Sequence, residues 1–155
     1  MVRVNYPKQE VDYLTVLGRA LTPNDVIYPA ASITGPIRAT TTTDWKGQPN
    51  FKELALNFKI GKEGTSRISG GLVINFLVID PIEGEIIQSL AINSTPIAGP
   101  ATVRFFIANG SATAWVNGVE TSLGSMNVPS KWQVQLVLSG SNPFFPIEGT
   151  YEAKE

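Results

Sequence analysis

Apolar and polar residues alternate with a period of two along much of this chain, which is typical of β-strands that are buried on one side. In residues 51–60 the alternation predicts an inner face formed by Leu54, Leu56, Phe58 and Ile60. In residues 131–139 it predicts an inner face formed by Trp132, Val134, Leu136 and Leu138. Both segments are therefore predicted to be half-buried strands.

Residues 103–123 contain two Asn-Gly pairs, at residues 109–110 and 117–118. Asn-Gly favours the two-residue type I′ turn, because both central residues of that turn need a positive φ. The apolar alternation on either side of each pair completes the pattern of a β-hairpin. The stretch is therefore predicted to form three antiparallel strands joined by two tight turns.

The two turns fix which residues lie opposite each other across these strands. The first sets Arg104 opposite Trp115, and the second sets Trp115 opposite Glu120 and Ala112 opposite Leu123. One face of the sheet then collects mainly apolar residues, and we expect this face to belong to the core: Val103, Phe105, Ile107, Ala112, Ala114, Val116, Val119, Thr121 and Leu123.

The outer face of the same strands is predicted to carry Arg104, Trp115 and Glu120 in one row, with Phe106 beside it. Three interpretations remain open for this row. It is a stabilising ladder on a solvated face, a subunit contact centred on Trp115 and Phe106, or a platform for a sugar or another small ligand. An Arg over an indole contributes about 0.5–1 kcal/mol at an exposed site, which suits the first interpretation.

The remaining segments extend the same rhythm of short strands and turns. Residues 72–79 are apolar on both faces apart from Asn75, so we expect a central strand that is covered on both sides. Residues 85–93 form a further strand with weaker alternation, and residues 11–21 fit a strand or a helical stripe, of which we choose the strand. Turns and loops are predicted from Gly, Pro, Asn and Ser at residues 61–64, 80–85, 93–100, 124–129 and 140–146.

About eight short strands with almost no helix predict an all-β fold, an antiparallel β-sandwich or barrel of the jelly-roll type. The length of 155 residues fits one domain. We expect an extended N-terminal arm over residues 1–10, a single β-sandwich domain over residues 11–151 and a polar tail over residues 152–155.

Composition narrows the possible chemistry. The chain has no Cys and no His, which removes thiolate sites and the commonest general base and metal ligand. We therefore expect no enzymatic activity, no cofactor and no metal site. The acidic stretch around Asp80, Glu83 and Glu85 is interpreted as a turn.

Charge and hydropathy bear on the partners. The net charge of −1 provides no field that would attract nucleic acid or an anionic membrane, and no apolar run approaches the about 20 residues that span a bilayer. Charged residues make up 16% of the chain, where about 25% is usual. So few surface charges favour a protein whose surface is partly covered by neighbouring subunits.

Phe144 and Phe145 lie next to each other between two prolines, after the last strong strand. Two adjacent residues of an extended segment cannot both point inward. One of them is therefore predicted to be exposed or buried against something else, and aromatic side chains often anchor interfaces. A subunit interface, a lid folded back on the domain's own core and a ligand contact all remain open.

In length and strand rhythm, residues 11–151, with an arm before them and an aromatic tail near their end, resemble the small single jelly-roll virion proteins of bacteriophages. The resemblance implies a non-enzymatic structural protein, a capsid or capsid-decoration subunit in the virion, whose partners are itself and other virion subunits. The arm would then reach a neighbour. The implied interface residues are Val2, Val4, Tyr6, Phe106, Trp115, Phe144 and Phe145.

The Asn-Gly hairpins and the face around Trp115 also resemble carbohydrate-binding, lectin-like β-sandwich modules. This alternative implies an extracellular or cytoplasmic protein that stacks a sugar ring on Trp115, with Arg104 and Glu120 beside it. A glycan is a partner only under this alternative.

Overall fold

The computed structural model describes residues 25–26, 33–34, 36–43, 51–61 and 67–154. The described residues form strands and connecting loops without a helix, so the predicted all-β class is confirmed. In chain order the strands are β1 (Asp25–Val26), β2 (Ile33–Thr34), β3 (Thr41–Thr42), β4 (Glu53–Ile60), β5 (Ser69–Ile79), β6 (Ile86–Ala91), β7 (Ala101–Ala108), β8 (Ser111–Val116), β9 (Val119–Ser125), β10 (Trp132–Phe144) and β11 (Ile147–Lys154). Eight of these contain six or more residues, in agreement with the predicted number.

The strands form two antiparallel sheets. The larger sheet has the order β1-β11-β4-β7-β8-β9, with β2 also paired to β11, and the smaller has the order β3-β10-β5-β6. The chain crosses between the sheets from β2 to β3, from β3 to β4, from β4 to β5, from β6 to β7, from β9 to β10 and from β10 to β11. The strands β7, β8 and β9 instead form a meander within one sheet. The predicted antiparallel β-sandwich is thus confirmed.

The core lies between the two sheets and is built from the inward residues that the alternation predicts. Leu54, Leu56, Phe58 and Ile60 of β4 are all buried. At its centre the Phe76 ring packs 4.9 Å from Phe105 and 5.5 Å from Trp132, measured between ring centroids. The two sheets are therefore joined mainly by the burial of large apolar side chains.

Both predicted type I′ turns are present. Asn109 and Gly110 have φ of 53° and 76°, and Asn117 and Gly118 have φ of 50° and 80°. The predicted pairing of Arg104 with Trp115, and of Trp115 with Glu120, is confirmed.

The predicted pairing of Ala112 with Leu123 is wrong, because the register of β8 and β9 shifts between Ala112 and Thr113. Ala112 lies opposite Gly124, and Leu123 is the additional residue. Gly124 has a φ of 98°, which a residue with a Cβ rarely adopts, so the bulge forms where glycine permits it.

The inner face of β9 also differs from the prediction. Val119 is 68% exposed and Thr121 is exposed, although both were expected in the core. β9 is the edge strand of the larger sheet, where the inner side of a strand can stay in contact with solvent. Period-two alternation identified the side of the strand correctly, but position in the sheet decides whether that side is buried.

Two predicted boundaries near the end of the chain are wrong. Residues 140–144, expected in a loop, continue β10 beyond a register shift between Ser139 and Phe144. Residues 152–154, expected in a polar tail, belong to β11, where Glu152 pairs with Ala55 and is buried. Pairing with β4 holds this segment in the sheet. The predicted arm at residues 1–10 and the ambiguous segment at residues 11–21 lie outside the described residues.

The described part of the chain has no helix long and apolar enough to cross a membrane.

Candidate functional site

A row of side chains crosses the outer face of the larger sheet. Cross-strand pairing aligns Thr150 of β11, Asn57 of β4, Arg104 of β7, Trp115 of β8 and Glu120 of β9. The last three members of this row were predicted from the sequence. Thr150 and Asn57 were not, because their positions follow from pairings between strands far apart in the sequence.

An open groove of about 410 Å³ follows this row. The backbones and side chains that line it come from four neighbouring strands and the second Asn-Gly turn. Its walls are Asn57, Phe58, Lys59, Thr102, Val103, Arg104, Trp115, Gly118, Glu148 and Thr150. The groove therefore combines one indole with amide, hydroxyl and charged groups, which is the chemistry that polar ring compounds need for stacking and hydrogen bonding.

The Arg104 side chain covers the aromatic groups of this face. Its guanidinium carbon lies 5.3 Å from the Phe106 ring centroid and 5.5 Å from that of Trp115. Burial lowers the pKa of Arg104 from its usual value, because a charged group is disfavoured away from water. Phe106 and Trp115 are both half-buried. Their rings thus lie partly beneath a cation of the same chain.

The two phenylalanines near the end of β10 occupy different environments. Phe145 is fully buried in the domain's own core, so its prediction as an interface residue is wrong; the folded-back lid is the interpretation that fits it. It is fixed there by a bridge with Ile37, whose N–H donates to the Phe145 carbonyl over 2.9 Å. The expectation that the pair points in different directions is confirmed.

Phe144 is half-buried on the surface between two arginines. The guanidinium carbons of Arg38 and Arg67 lie 4.7 Å and 5.0 Å from its ring centroid. Both arginines are exposed, and they come from segments that precede β3 and β5. As at Trp115, aromatic surface is covered by cationic side chains from the same chain.

The largest exposed apolar side chains lie elsewhere, at one corner of the smaller sheet. Ile82 is 92% exposed, Ile86 58% and Ile87 64%. We call these three residues the isoleucine corner. Ile82 lies in the turn after β5, and the other two begin the edge strand β6. These three residues were not predicted from the sequence, although the adjacent pair Ile86-Ile87 has the same pattern as Phe144-Phe145.

The turn at the isoleucine corner is built by Asp80. Its carboxylate accepts the Ile82 N–H over 2.9 Å, and its backbone carbonyl accepts the Gly84 N–H over 2.8 Å. Gly84 has a φ of 75°, which suits glycine at this position. Within the described residues, no three acidic, His or Cys side chains gather in a group that could hold a metal ion.

Of the predicted site residues, the structure brings Arg104, Phe106, Trp115 and Glu120 together on one face. Phe144 lies apart from them with its two arginines. Val2, Val4 and Tyr6 lie outside the described residues.

No family model matches the chain, and no curated protein matches it in sequence. Among solved structures it is similar to that of A. japonicus CB05, with 12% identity and a TM-score of 0.44, over 85% of this chain and 26% of that one. It is also similar to the alginate lyase AlgAT5 from polysaccharide lyase family 7, with 10% identity and a TM-score of 0.35, over 74% of this chain and 60% of that one. The chain thus spans less than two thirds of either protein, and the likeness concerns the fold alone.

Proposed function

We propose that the protein is a non-enzymatic structural subunit that assembles with copies of itself, as a capsid or capsid-decoration protein of a virion does. The observation that supports the proposal most strongly is the isoleucine corner, where three large apolar side chains are more than half exposed. The three residues lie within six positions of the chain, and exposed apolar residues that lie together are typical of protein contacts, whereas scattered ones are ordinary. The small share of charged residues, 16%, supports the same function.

The proposal revises which residues form the contact. Phe145 is excluded by its burial, and Phe106, Trp115 and Phe144 are partly covered by arginines of the same chain. At the isoleucine corner, by contrast, no contact with a cation is seen among the described residues, and Ile82, Ile86 and Ile87 are exposed. Burial of three isoleucines on assembly would remove a large apolar area from water, at roughly 25 cal/mol per Å².

Light scattering coupled to size exclusion tests this proposal on the full chain. A molar mass well above 16.7 kDa that persists on dilution is the expected result. Changing Ile82, Ile86 and Ile87 together to Ser should reduce the mass while leaving the circular dichroism of the subunit unchanged. A wild-type chain that is monomeric at every concentration contradicts self-assembly. Electron micrographs of the assembled material test the virion role, for which a closed shell or regular lattice is expected.

A second candidate function is carbohydrate binding in the groove beside Trp115. It is favoured by the row of Asn57, Arg104 and Trp115, which places an amide, a guanidinium and an indole along one groove. The test is retention of the chain on immobilised glycans. The Trp115→Ala variant should lose retention, and the Ile87→Ser variant, altered in the other sheet, should keep it. Absence of retention by the wild type, or equal retention by Trp115→Ala, contradicts this function.

A further inference from the structure

Among the described strands, β6 pairs with β5 alone, along one of its two sides. It ends the smaller sheet, and no described strand pairs with its outer side. The Ile92 N–H donates to the Ile74 carbonyl over 2.8 Å. Because bonded and non-bonded pairs alternate along antiparallel strands, the bonds of Leu90 and Gln88 also point toward β5. The backbone groups of Ser89 and Ala91 consequently point away from the sheet.

The chain closes the neighbouring edge of β5 in a different way. Just beyond β6, the buried Asn93 side chain accepts the Ile74 N–H over 2.8 Å and donates to the Leu72 carbonyl over 2.9 Å. A bridge between Leu72 and Ile97 satisfies the backbone of β5 further along. We call this the closed edge of β5. By contrast, Ser89 and Ala91 are exposed, and none of the described strands pairs with the outer edge of β6.

The features that usually protect an edge strand from pairing are largely missing from β6. Such strands commonly carry charged residues or prolines, or a β-bulge. Residues 86–91 contain neither a charge nor a proline. A register shift lies at the start of the strand, between Val78 and Ile79 on its partner, and residues 88–91 are regularly paired. The regular half of β6 is therefore open to a further strand.

Charge indicates which partner and which direction suit this edge. Glu83 and Glu85 precede β6, and the strand itself is uncharged, so an antiparallel copy brings neutral residues opposite neutral residues. Pairing centred on Ser89 would separate the two Glu85 residues by more than about 20 Å at about 3.4 Å per residue. A parallel copy would instead place these carboxylates on adjacent strands, where like charges repel. The edge is thus self-complementary about a two-fold axis.

We propose that β6 pairs antiparallel with β6 of a second copy of this chain, around a two-fold axis near Ser89, so that the two smaller sheets become one continuous sheet. The proposal deepens the proposed self-assembly and rests on it. The contact is isologous, and main-chain bonds from Ser89 and Ala91 fix its register. The isoleucine corners lie at the two ends of the joint, where they bury apolar surface beside the paired strands.

The Ser89→Pro variant tests the main-chain contact. Proline removes the outward N–H of residue 89 and leaves the bonds of β6 to β5 intact, and edge strands tolerate it in this orientation. A matched control is Ser122→Pro in β9, the edge strand of the other sheet. In the hairpin that joins β8 and β9, Val116 bonds to Val119, so alternation points the N–H of Ser122 outward as well.

Light scattering is expected to show an assembled wild type, an assembled Ser122→Pro variant and a Ser89→Pro variant whose dissociation constant is raised at least tenfold. Hydrogen exchange supplies a second readout. The Ser89 and Ala91 amides should be protected in the wild type at high concentration and lose that protection on dilution. The Ser89→Lys variant, which keeps the N–H but adds a charge to the edge, should also dissociate, and it replaces Ser89→Pro if that variant does not fold.

Two different results would overturn the inference, and they are distinguishable. If the wild type assembles but the Ser89 variants assemble equally and both amides exchange fast, then pairing through β6 is wrong and self-assembly stands. If the wild type is monomeric at all concentrations, self-assembly fails and the β6 contact fails with it.

Discussion

The closed edge of β5 and the outer edge of β6 lie next to each other in the smaller sheet, yet the chain treats them differently. At the first, one buried asparagine and one bridge satisfy the backbone of Leu72 and Ile74. At the second, the backbone of Ser89 and Ala91 is exposed beside the isoleucine corner. One amide side chain and one short bridge together complete the backbone bonds of β5 where its pairing with β6 ends. The bonded backbone groups of Leu72 and Ile74 stabilise the subunit. The outward backbone groups of Ser89 and Ala91, which pair with no described strand, can bond to another molecule.

Replacing Asn93 with Ala should have the largest effect on the stability of the subunit. The Ile74 N–H would be left buried without its partner, which costs about 1–3 kcal/mol. The Leu72 carbonyl would keep the bond from the Ile97 N–H and lose only its second bond, which contributes about 0.5–1.5 kcal/mol. We expect the free energy of unfolding, measured by urea denaturation, to fall by about 3 kcal/mol. The control is Asn127→Ala, at an exposed asparagine, which should change it by less than about 0.5 kcal/mol. A small loss at Asn93 would mean that the edge is closed by other groups.

The two faces of β6 provide the next contrast. Leu90 packs half-buried against the core, and Leu90→Ala should lower the free energy of unfolding by about 2 kcal/mol. Ile87 is 64% exposed, and Ile87→Ala should change the stability of the dilute chain by less than about 0.5 kcal/mol. Light scattering should show weaker assembly of the Ile87→Ala variant. The Leu90→Ala variant, measured under conditions in which it is folded, should assemble as the wild type does. Equal effects of both changes on stability would show that Ile87 supports the subunit itself.

How far the sequence predicts this molecule depends on whether a feature is local. The turns at Asn109 and Asn117 follow from their own φ preferences, and the pairing of Arg104 with Trp115 follows from the turn. The predicted pairing of Ala112 is wrong because a bulge beside Gly124 shifts the register of β9 by one residue. A loop was predicted over residues 140–144 from their composition. They are strand instead, because they pair with a segment about 70 residues earlier, where Ser69 lies opposite Phe144.

The candidate sites also differ in whether they depend on local or on long-range pairing. The Arg104, Trp115 and Glu120 row was predictable, because its three strands are joined by short turns. Asn93 was placed in a loop, and its role depends on carbonyl and amide groups about 20 residues earlier in the chain. The isoleucine corner is exposed because β6 ends a sheet, and strand order is set by long-range packing that alternation does not encode.

The Arg104→Met change extends the comparison to the larger sheet, where aromatic surface is covered instead of left open. Loss of the guanidinium from the faces of Phe106 and Trp115 should lower the free energy of unfolding by about 1 kcal/mol. It should also raise the exposure of Trp115, measured by acrylamide quenching of fluorescence. The matched control is Arg67→Met, which lies away from every tryptophan contact described and should leave quenching unchanged. Unaltered quenching in Arg104→Met would show that other groups cover the indole.

The smallest effect is expected at Phe144, where two cations share one ring. The guanidinium carbons of Arg38 and Arg67 lie within about 10 Å of each other, because each is 5 Å or less from the same centroid. Each attraction to the ring contributes about 0.5 kcal/mol, and repulsion between the charges at this distance in water offsets about 0.4 kcal/mol. Each single change to Gln should therefore cost almost nothing, and the double change should cost about 0.4 kcal/mol more than the sum of the two. In 1 M salt, where the screening length is about 3 Å, the two changes should become additive. Additivity at low salt as well would place the two guanidinium groups too far apart to interact, and Phe144 would then be held by two independent contacts.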